Sequence, residues 1–224
     1  MRAFRFIGKL FISLGMGVLL FVLWTLYGTG IYTSRQQSKL SDEFAALPEF
    51  EPAPAVSADP SDPYRGPPKD YDPDPGDPVF HIEIPAIELN RNKGYVVVEG
   101  VGESELQKGP GHYPQCGSGF ERPFCTEHAE AWPGEKGRVV ISGHRTTYGA
   151  PFFRIDRLSR GDEIFVDTKW GDFTYEVTEQ RSVMPDDPNV VIQNEDEAEL
   201  VLTTCDPPYS ASRRLITYAR MVTT

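Results

Sequence analysis

Cysteine, basic charge and long apolar runs are all scarce in this chain, and each shortage narrows what it can be. Its 22 Lys and Arg stand against 33 Asp and Glu, a net charge of −11. No basic patch dense enough to follow a phosphate backbone occurs, which excludes a nucleic-acid partner. One long apolar run lies near the N-terminus and none near the C-terminus, so a second membrane span is excluded. The three cysteines are an odd number, so pairing outside a cell would leave one thiol over. No internal repeat is visible.

The single apolar run is informative. No charged residue occurs from Leu10 to Ser34, and Leu10 to Tyr27 is almost wholly apolar. A helix needs about 20 such residues to cross a bilayer. Arg2, Arg5 and Lys9 precede the run closely, which places residues 1–9 in the cytoplasm, the span over 10–34 and everything after it outside the cell. A cleaved signal peptide is the rival reading, but its apolar core is usually about 7–15 residues. Here the run is longer and ends in Trp24 and Tyr27, with only Gly28-Thr29-Gly30 as a weak cleavage site.

Residues 35–78 read as an acidic, Pro-rich stalk. Prolines crowd it from Pro48 to Pro78 with Asp and Glu between them, a composition that favours extended chain and cannot fold alone. A short helical continuation over 35–47 is expected from Leu40, Phe44 and Leu47 at i, i+4, i+7. The remaining 79–224 suit one domain with a single core.

That domain reads as mostly β. Val79-Phe80-His81-Ile82-Glu83-Ile84 alternates before Pro85, Tyr95-Val96-Val97-Val98 is β-branched, and Phe173-Thr174-Tyr175-Glu176-Val177-Thr178 again has period two. Ile164-Phe165-Val166 is a further strand, and short helices are expected at Glu103–Lys108 and Pro151–Leu158. Many short strands with few helices suggest a sandwich or a closed barrel.

Three strand ends carry chemistry. Leu200-Val201-Leu202 leads into Thr203-Thr204-Cys205-Asp206-Pro207, and Arg213-Arg214 opens the next run, Leu215-Ile216. Two strands joined by so short a loop are neighbours, setting a thiol opposite a guanidinium. A thiol is a strong nucleophile and a guanidinium can stabilise an oxyanion. His144, closing Arg138-Val139-Val140-Ile141-Ser142-Gly143, supplies a proton carrier. Singly, each residue has an ordinary structural role; three with complementary chemistry at strand ends reverse that judgement.

Gly143-His144-Arg145-Thr146-Thr147-Tyr148-Gly149-Ala150-Pro151-Phe152, followed downstream by Thr-Thr-Cys and Arg-Leu-Ile, resembles the sortases, most closely the actinobacterial class E. The resemblance covers 79–224 and implies an eight-stranded β-barrel. It also implies His144, Cys205 and Arg214 as the catalytic three, with no cofactor and no metal. Cys205 would attack a peptide carbonyl of a C-terminal sorting signal of Leu-Pro-x-Thr-Gly or Leu-Ala-x-Thr-Gly type. Arg214 would stabilise the oxyanion, and His144 would protonate the leaving amine. A cell-wall precursor amine would then resolve the thioacyl-enzyme. The implied partners are sorting-signal-bearing secreted proteins, that amine and the plasma membrane of a Gram-positive cell. Thr204, through the backbone N–H that follows it, and Tyr148 are the expected substrate contacts. Asp206 disfavours the thiolate beside it, whereas Arg214 and a protonated His144 favour it.

Cys116 and Cys125 lie in a Gly- and Pro-rich insert and are expected to pair, closing a short loop with stabilisation on the order of 2–3 kcal/mol. Zinc on His112, Cys116, Cys125 and His128 is the alternative. Some sortases fold a lid over the site, a role open to Asp77-Pro78-Val79-Phe80. Some bind calcium; here Glu195-Asp196-Glu197-Ala198-Glu199 is instead expected as a solvated first helical turn capped by Asn194. His81, His112 and His128 are read as surface or packing residues.

Rival functions are separable on residues. An L,D-transpeptidase carries His-Gly before its cysteine, where this chain has Thr203-Thr204. A non-catalytic wall-surface β domain needs its own sorting signal, and Leu47-Pro48-Glu49-Phe50 fails at its fourth position. A pilin-polymerising sortase often carries a C-terminal span, whose absence favours wall attachment.

Overall fold

A computed structural model of the protein describes residues 2–51, 64–89, 94–117, 125, 131–185, 187 and 196–222. Eight strands close into a barrel: β1 (Pro78–Glu83), β2 (Tyr95–Glu99), β3 (Gly111–His112), β4 (Gly137–Ser142), β5 (Glu163–Thr168), β6 (Gly171–Val183), β7 (Ala198–Asp206) and β8 (Arg213–Met221). Around the barrel the order is β1-β2-β3-β4-β7-β8-β6-β5. Pairing is antiparallel except for β2 with β3 and β4 with β7.

The sequence periodicities become faces of this barrel. On β1, Phe80 and Ile82 are fully buried while His81 and Glu83 between them are only half-buried. On β5, Ile164, Val166 and Thr168 point inward and Glu163, Phe165 and Asp167 outward. Each fully buried Phe or Ile contributes about 1.5–3 kcal/mol over its exposed state. β4 and β7 are buried on both faces, as continuous apolar runs in parallel pairs tend to be. Val139, Ile141, Leu200 and Leu202 face the main core. Val140 and Val201 face outward and join Ile216 in a second cluster, with Tyr113, Val183 and Tyr218 packed against it.

Short helical segments complete the domain. Glu103–Lys108 forms α3, with Glu103 and Glu105 in its first turn and Lys108 in its last, the order that complements the helix dipole. Pro151–Leu158 is less helical than expected: a turn leads into a 3₁₀ segment at Ile155–Arg157. Phe152 and Ile155, both fully buried, hold it on the barrel.

The N-terminal region departs furthest from expectation. One helix, α1 (Arg2–Leu23), contains the stretch Phe4–Leu23, which is long and apolar enough to cross a membrane and is not buried. A π-helical turn at Trp24–Gly28 joins it to α2, Thr29–Ala46. The apolar run read as one span over 10–34 is therefore divided, because Thr29 and Thr33 are buried against the barrel. Leu40 and Phe44 pack on Val96 and Val98, the outward residues of β2.

Nor do the described parts of the Pro-rich segment stand clear of the domain. The Phe50 amide donates to Lys169 O (2.7 Å) and the Arg65 amide to Gly134 O (2.9 Å). Tyr71 sits edge-on to Trp132 and Trp170, ring centroids 5.0 and 5.4 Å apart. Aromatic contacts spaced through an acidic, proline-rich chain are enough to hold it down, since each ring buries a large apolar area. Residues 52–63 lie outside the described residues.

One open role is closed and one further expectation is corrected. Val79 and Phe80 are fully buried in the core and Pro78 opens β1, so Pro78-Val79-Phe80 belongs to a barrel strand and is no lid. The acidic run is not a helical turn at its described end: Ala198 and Glu199 belong to β7. Glu199 accepts from Arg138 at 2.7 Å, and Glu197 forms an ion pair with Arg220 at 2.8 Å, so basic partners take up these carboxylates. Asn194 and Glu195 lie outside the described residues.

Asp167 and Asp172 face each other across β5 and β6. Burial, then the charge and hydrogen bond of Asp172, push the Asp167 carboxyl up to about 6, with Lys169 opposing. A raised folded-state pKa favours the fold while the group is protonated and costs stability as pH rises through about 6. Asp172→Asn is expected to raise the melting temperature near pH 7.5, and the gain should vanish by about pH 4. Thermal melts at both values check this; a gain of equal size at the low pH would refute the coupling.

Candidate active site

The site is built at one end of the β4–β7–β8 ribbon. Parallel pairing sets Ser142 beside Thr203, and antiparallel pairing sets Cys205 beside Arg214. Beyond Ser142 the two chains stay tied: the Gly143 amide donates to Thr203 O (3.1 Å) and Thr204 Oγ1 to Gly143 O (2.6 Å). His144 follows directly. Gly143 has to be glycine, because a Cβ there would lie 2.6 Å from the Phe152 ring.

Cys205 is half-buried and is the free cysteine; Cys116 and Cys125 form a disulfide. That bridge uses both thiols of the zinc alternative, and His112 is turned to Glu99 (Nδ1 to Oε2, 2.9 Å) inside the core. His128 lies outside the described residues. Arg214 is half-buried, its Nη1 donating to Ala211 O and Arg213 O, both at 3.1 Å, so the guanidinium is held by the β7–β8 turn on the residue in register with Cys205.

His144 Nε2 is buried and has no hydrogen-bond partner among the described residues. Burial holds the ring's pKa below its ordinary 6.5, partly offset by the charge of Glu103. The imidazole packs on Tyr148, centroids 5.0 Å apart and planes tilted by 35°. Thr204 is almost fully buried, and its hydroxyl is spent on Gly143 O, so its side chain ties the cysteine strand to the histidine segment.

Sequence reading missed Arg145. Its side chain is 2% exposed and lies at the centre of a charge network. Nη1 donates to Asp206 Oδ1 (2.8 Å) and to Cys205 O (3.2 Å), and Nη2 forms an ion pair with Asp156 Oδ1 (2.9 Å). Asp206 Oδ2 in turn accepts from Ser182 Oγ (2.6 Å), which accepts from Arg213 Nε (2.8 Å). The Asp206 charge beside the thiol is thereby compensated. The only sequence signal was an arginine adjoining His144, and adjacent residues on a strand normally point to opposite faces.

A free thiol in register with an arginine across β7 and β8, with a histidine just beyond the neighbouring β4, brings together the residue types that thiol-dependent acyl transfer uses. Comparison with known proteins is specific. A profile of the sortase domain matches residues 82–222. Sortase D of Bacillus subtilis is 33% identical over 156 residues, covering 68% of each chain. Sortase SrtE1 of Streptomyces coelicolor is 28% identical over 98% of this chain, which spans 57% of that protein. The structure of sortase E from Streptomyces avermitilis superposes with a TM-score of 0.52 at 32% identity, over 67% of this chain and 91% of the other. The chain belongs to the sortase family of cysteine transpeptidases and is closely related to the class E enzymes of actinobacteria.

Two outcomes follow from the geometry. Arg145→Met is expected to cost roughly 3 kcal/mol, the low end for breaking a buried pair, because Asp156 remains reachable by water. Denaturant unfolding measures this, and a change within experimental error would show the network to be energetically idle. In an NMR titration the His144 ring should charge below pH 6.5, staying neutral further into acid than a solvated imidazole. A midpoint above 6.5 would contradict the burial argument.

Proposed function

We propose that Cys205, His144 and Arg214 carry a sorting reaction at the outer face of a membrane. The supporting observation is the pairing of Cys205 with Arg214 across β7 and β8, with His144 delivered by the strand hydrogen-bonded to β7. His144, neutral near pH 7, takes the thiol proton as Cys205 Sγ attacks the carbonyl carbon between Thr and Gly of an LPxTG or LAxTG signal. The S–C bond forms and Arg214 donates to the oxyanion. Collapse breaks the C–N bond, and the proton on His144 passes to the leaving glycine amine. An acceptor amine of a cell-wall precursor then attacks the thioester, giving its proton to His144. A new amide forms, the S–C bond breaks and the proton returns to the thiol. Water in place of the amine gives slow hydrolysis.

The N-terminal apolar helix anchors the enzyme, with Arg5 and Lys9 keeping its start in the cytoplasm and the barrel outside. Tyr148 and the buried network around Arg145 act by positioning. Thr204 serves through its hydrogen bond to Gly143 O.

The full-length chain in detergent, mixed with a panel of sorting-signal peptides and amines, tests the reading by mass spectrometry. The wild type should yield amide-linked product and a trapped thioester. Cys205→Ala should yield neither while melting normally. Arg214→Lys keeps the charge but loses the planar fork, and turnover should fall on the order of 10²–10³-fold. Cleavage by Cys205→Ala, or near-normal turnover by Arg214→Lys, would sink these assignments.

A further inference from the structure

We infer that α2 is part of the active-site scaffold, with Thr29 as a positioning residue for His144; the inference rests on the functional reading above. Thr25, Thr29, Thr33 and Gln37 recur every four residues and so share one helix face. Threonine is a poor helix former, so a threonine stripe here needs another reason. The barrel supplies it. The Tyr148 amide donates to Thr29 Oγ1 (3.2 Å), and that hydroxyl donates to Thr25 O (2.8 Å). Thr33 Oγ1 donates to Gln107 O (2.8 Å) as well as to Thr29 O (3.1 Å). The Gln37 amide pairs with both backbone groups of Val96 (2.8 and 2.9 Å) and donates to Lys108 O (3.0 Å).

The segment held by Thr29 is unusual. Tyr148, Gly149 and Ala150 all have positive φ (50°, 76° and 47°), a conformation that two of the three residues adopt only if their surroundings enforce it. A Cβ on Gly149 would lie 2.9 Å from Tyr95 Oη and 3.4 Å from Thr33 Cγ2, so α2 and β2 close on this loop directly. Tyr148 carries the ring on which His144 rests, with centroids 5.0 Å apart. Releasing the Tyr148 amide therefore shifts the surface that sets the imidazole. Thr29 follows the last residue of the apolar helix, Leu23, by about 9 Å of helical rise, so the proposed anchor and the histidine loop form one mechanical unit. Packing of α2 is already provided by Leu40 and Phe44 on β2, which leaves the polar half of the helix for this second task.

The test uses the full-length chain in detergent with an LAxTG-type peptide and an amine. Thr29→Val keeps the shape but removes the acceptor, whereas Thr29→Ser keeps it. Thr29→Val should lower kcat roughly tenfold with KM unchanged, short of the roughly hundredfold that a misplacement of about 1 Å can cost. Thr29→Ser should stay within about twofold of wild type by the same argument. Ile164→Val, a core change on β5, calibrates what a comparable melting shift alone does to turnover. Hydrogen exchange at the Tyr148 amide should speed up in Thr29→Val and not in Thr29→Ser, a readout that needs no activity. Unchanged kcat in Thr29→Val, equal losses in the valine and serine variants, or unchanged Tyr148 exchange each overturn the inference. A wild-type chain that transfers no peptide would instead refute the functional reading, and exchange at Tyr148 would still decide the contact.

Discussion

The parallel pairing of β4 with β7 is the constraint on which the site depends. It brings together two segments some sixty residues apart in sequence, so that Ser142 lies beside Thr203 and both chains reach the same end of the barrel in step. Because a strand's side chains alternate, a slip of one residue would turn Cys205 and its neighbours to the opposite face. The register is secured from both sides: Val139, Ile141, Leu200 and Leu202 lock it in the core, and Val140 and Val201 lock it on the outer surface. β8 then needs only a short antiparallel turn to set Arg214 against Cys205.

On that frame a second layer of polar contacts sets the chemistry. Arg145 is buried where an uncompensated charge would be costly, and two carboxylates and a backbone carbonyl pair it. The arrangement serves two ends. It neutralises Asp206 next to the Cys205 thiol, and it fixes the carbonyl of Cys205 itself. Thr204 does the complementary task from the other strand, clamping Gly143 just before the histidine.

The N-terminal helix adds a third layer. In α2, Leu40 and Phe44 pack on β2 in the ordinary way, while the threonine and glutamine face meets backbone groups of β2, α3 and the loop after His144. A buried amide without a partner is expensive, so each such bond is a strong local constraint. The segment between the apolar helix and β1 thereby becomes a brace for the barrel at its described residues, where composition alone suggested a spacer.

Much of the fold was legible in the sequence. Period two over Phe80 to Ile84 and Phe173 to Thr178, continuous apolar runs ending in His144 and Cys205, and the short loop before Arg214 each report a local rule of backbone geometry. The helix near Leu40 and Phe44 was legible for the same reason. What those rules could not supply was contact between distant segments. Val79 and Phe80 were legible as the start of a strand, but nothing local says how deeply a strand next to an acidic linker enters the core. Residues 195–199 looked like a helical turn because acidic residues after an asparagine favour one in isolation, yet pairing with Arg138 and Arg220 makes the end of that run part of β7. Arg145 and Thr29 carry no signature in their neighbours: their partners, Asp206 and Tyr148, lie 61 and 119 positions away. The sequence by itself determined most of the strands and the apolar helix, since these depend on neighbours in the chain; β3, only Gly111–His112, is too short to carry a period. Tertiary structure alone decided the register, the buried network and the docking of α2, because each is stable only when groups remote in sequence satisfy one another's hydrogen bonds and charges.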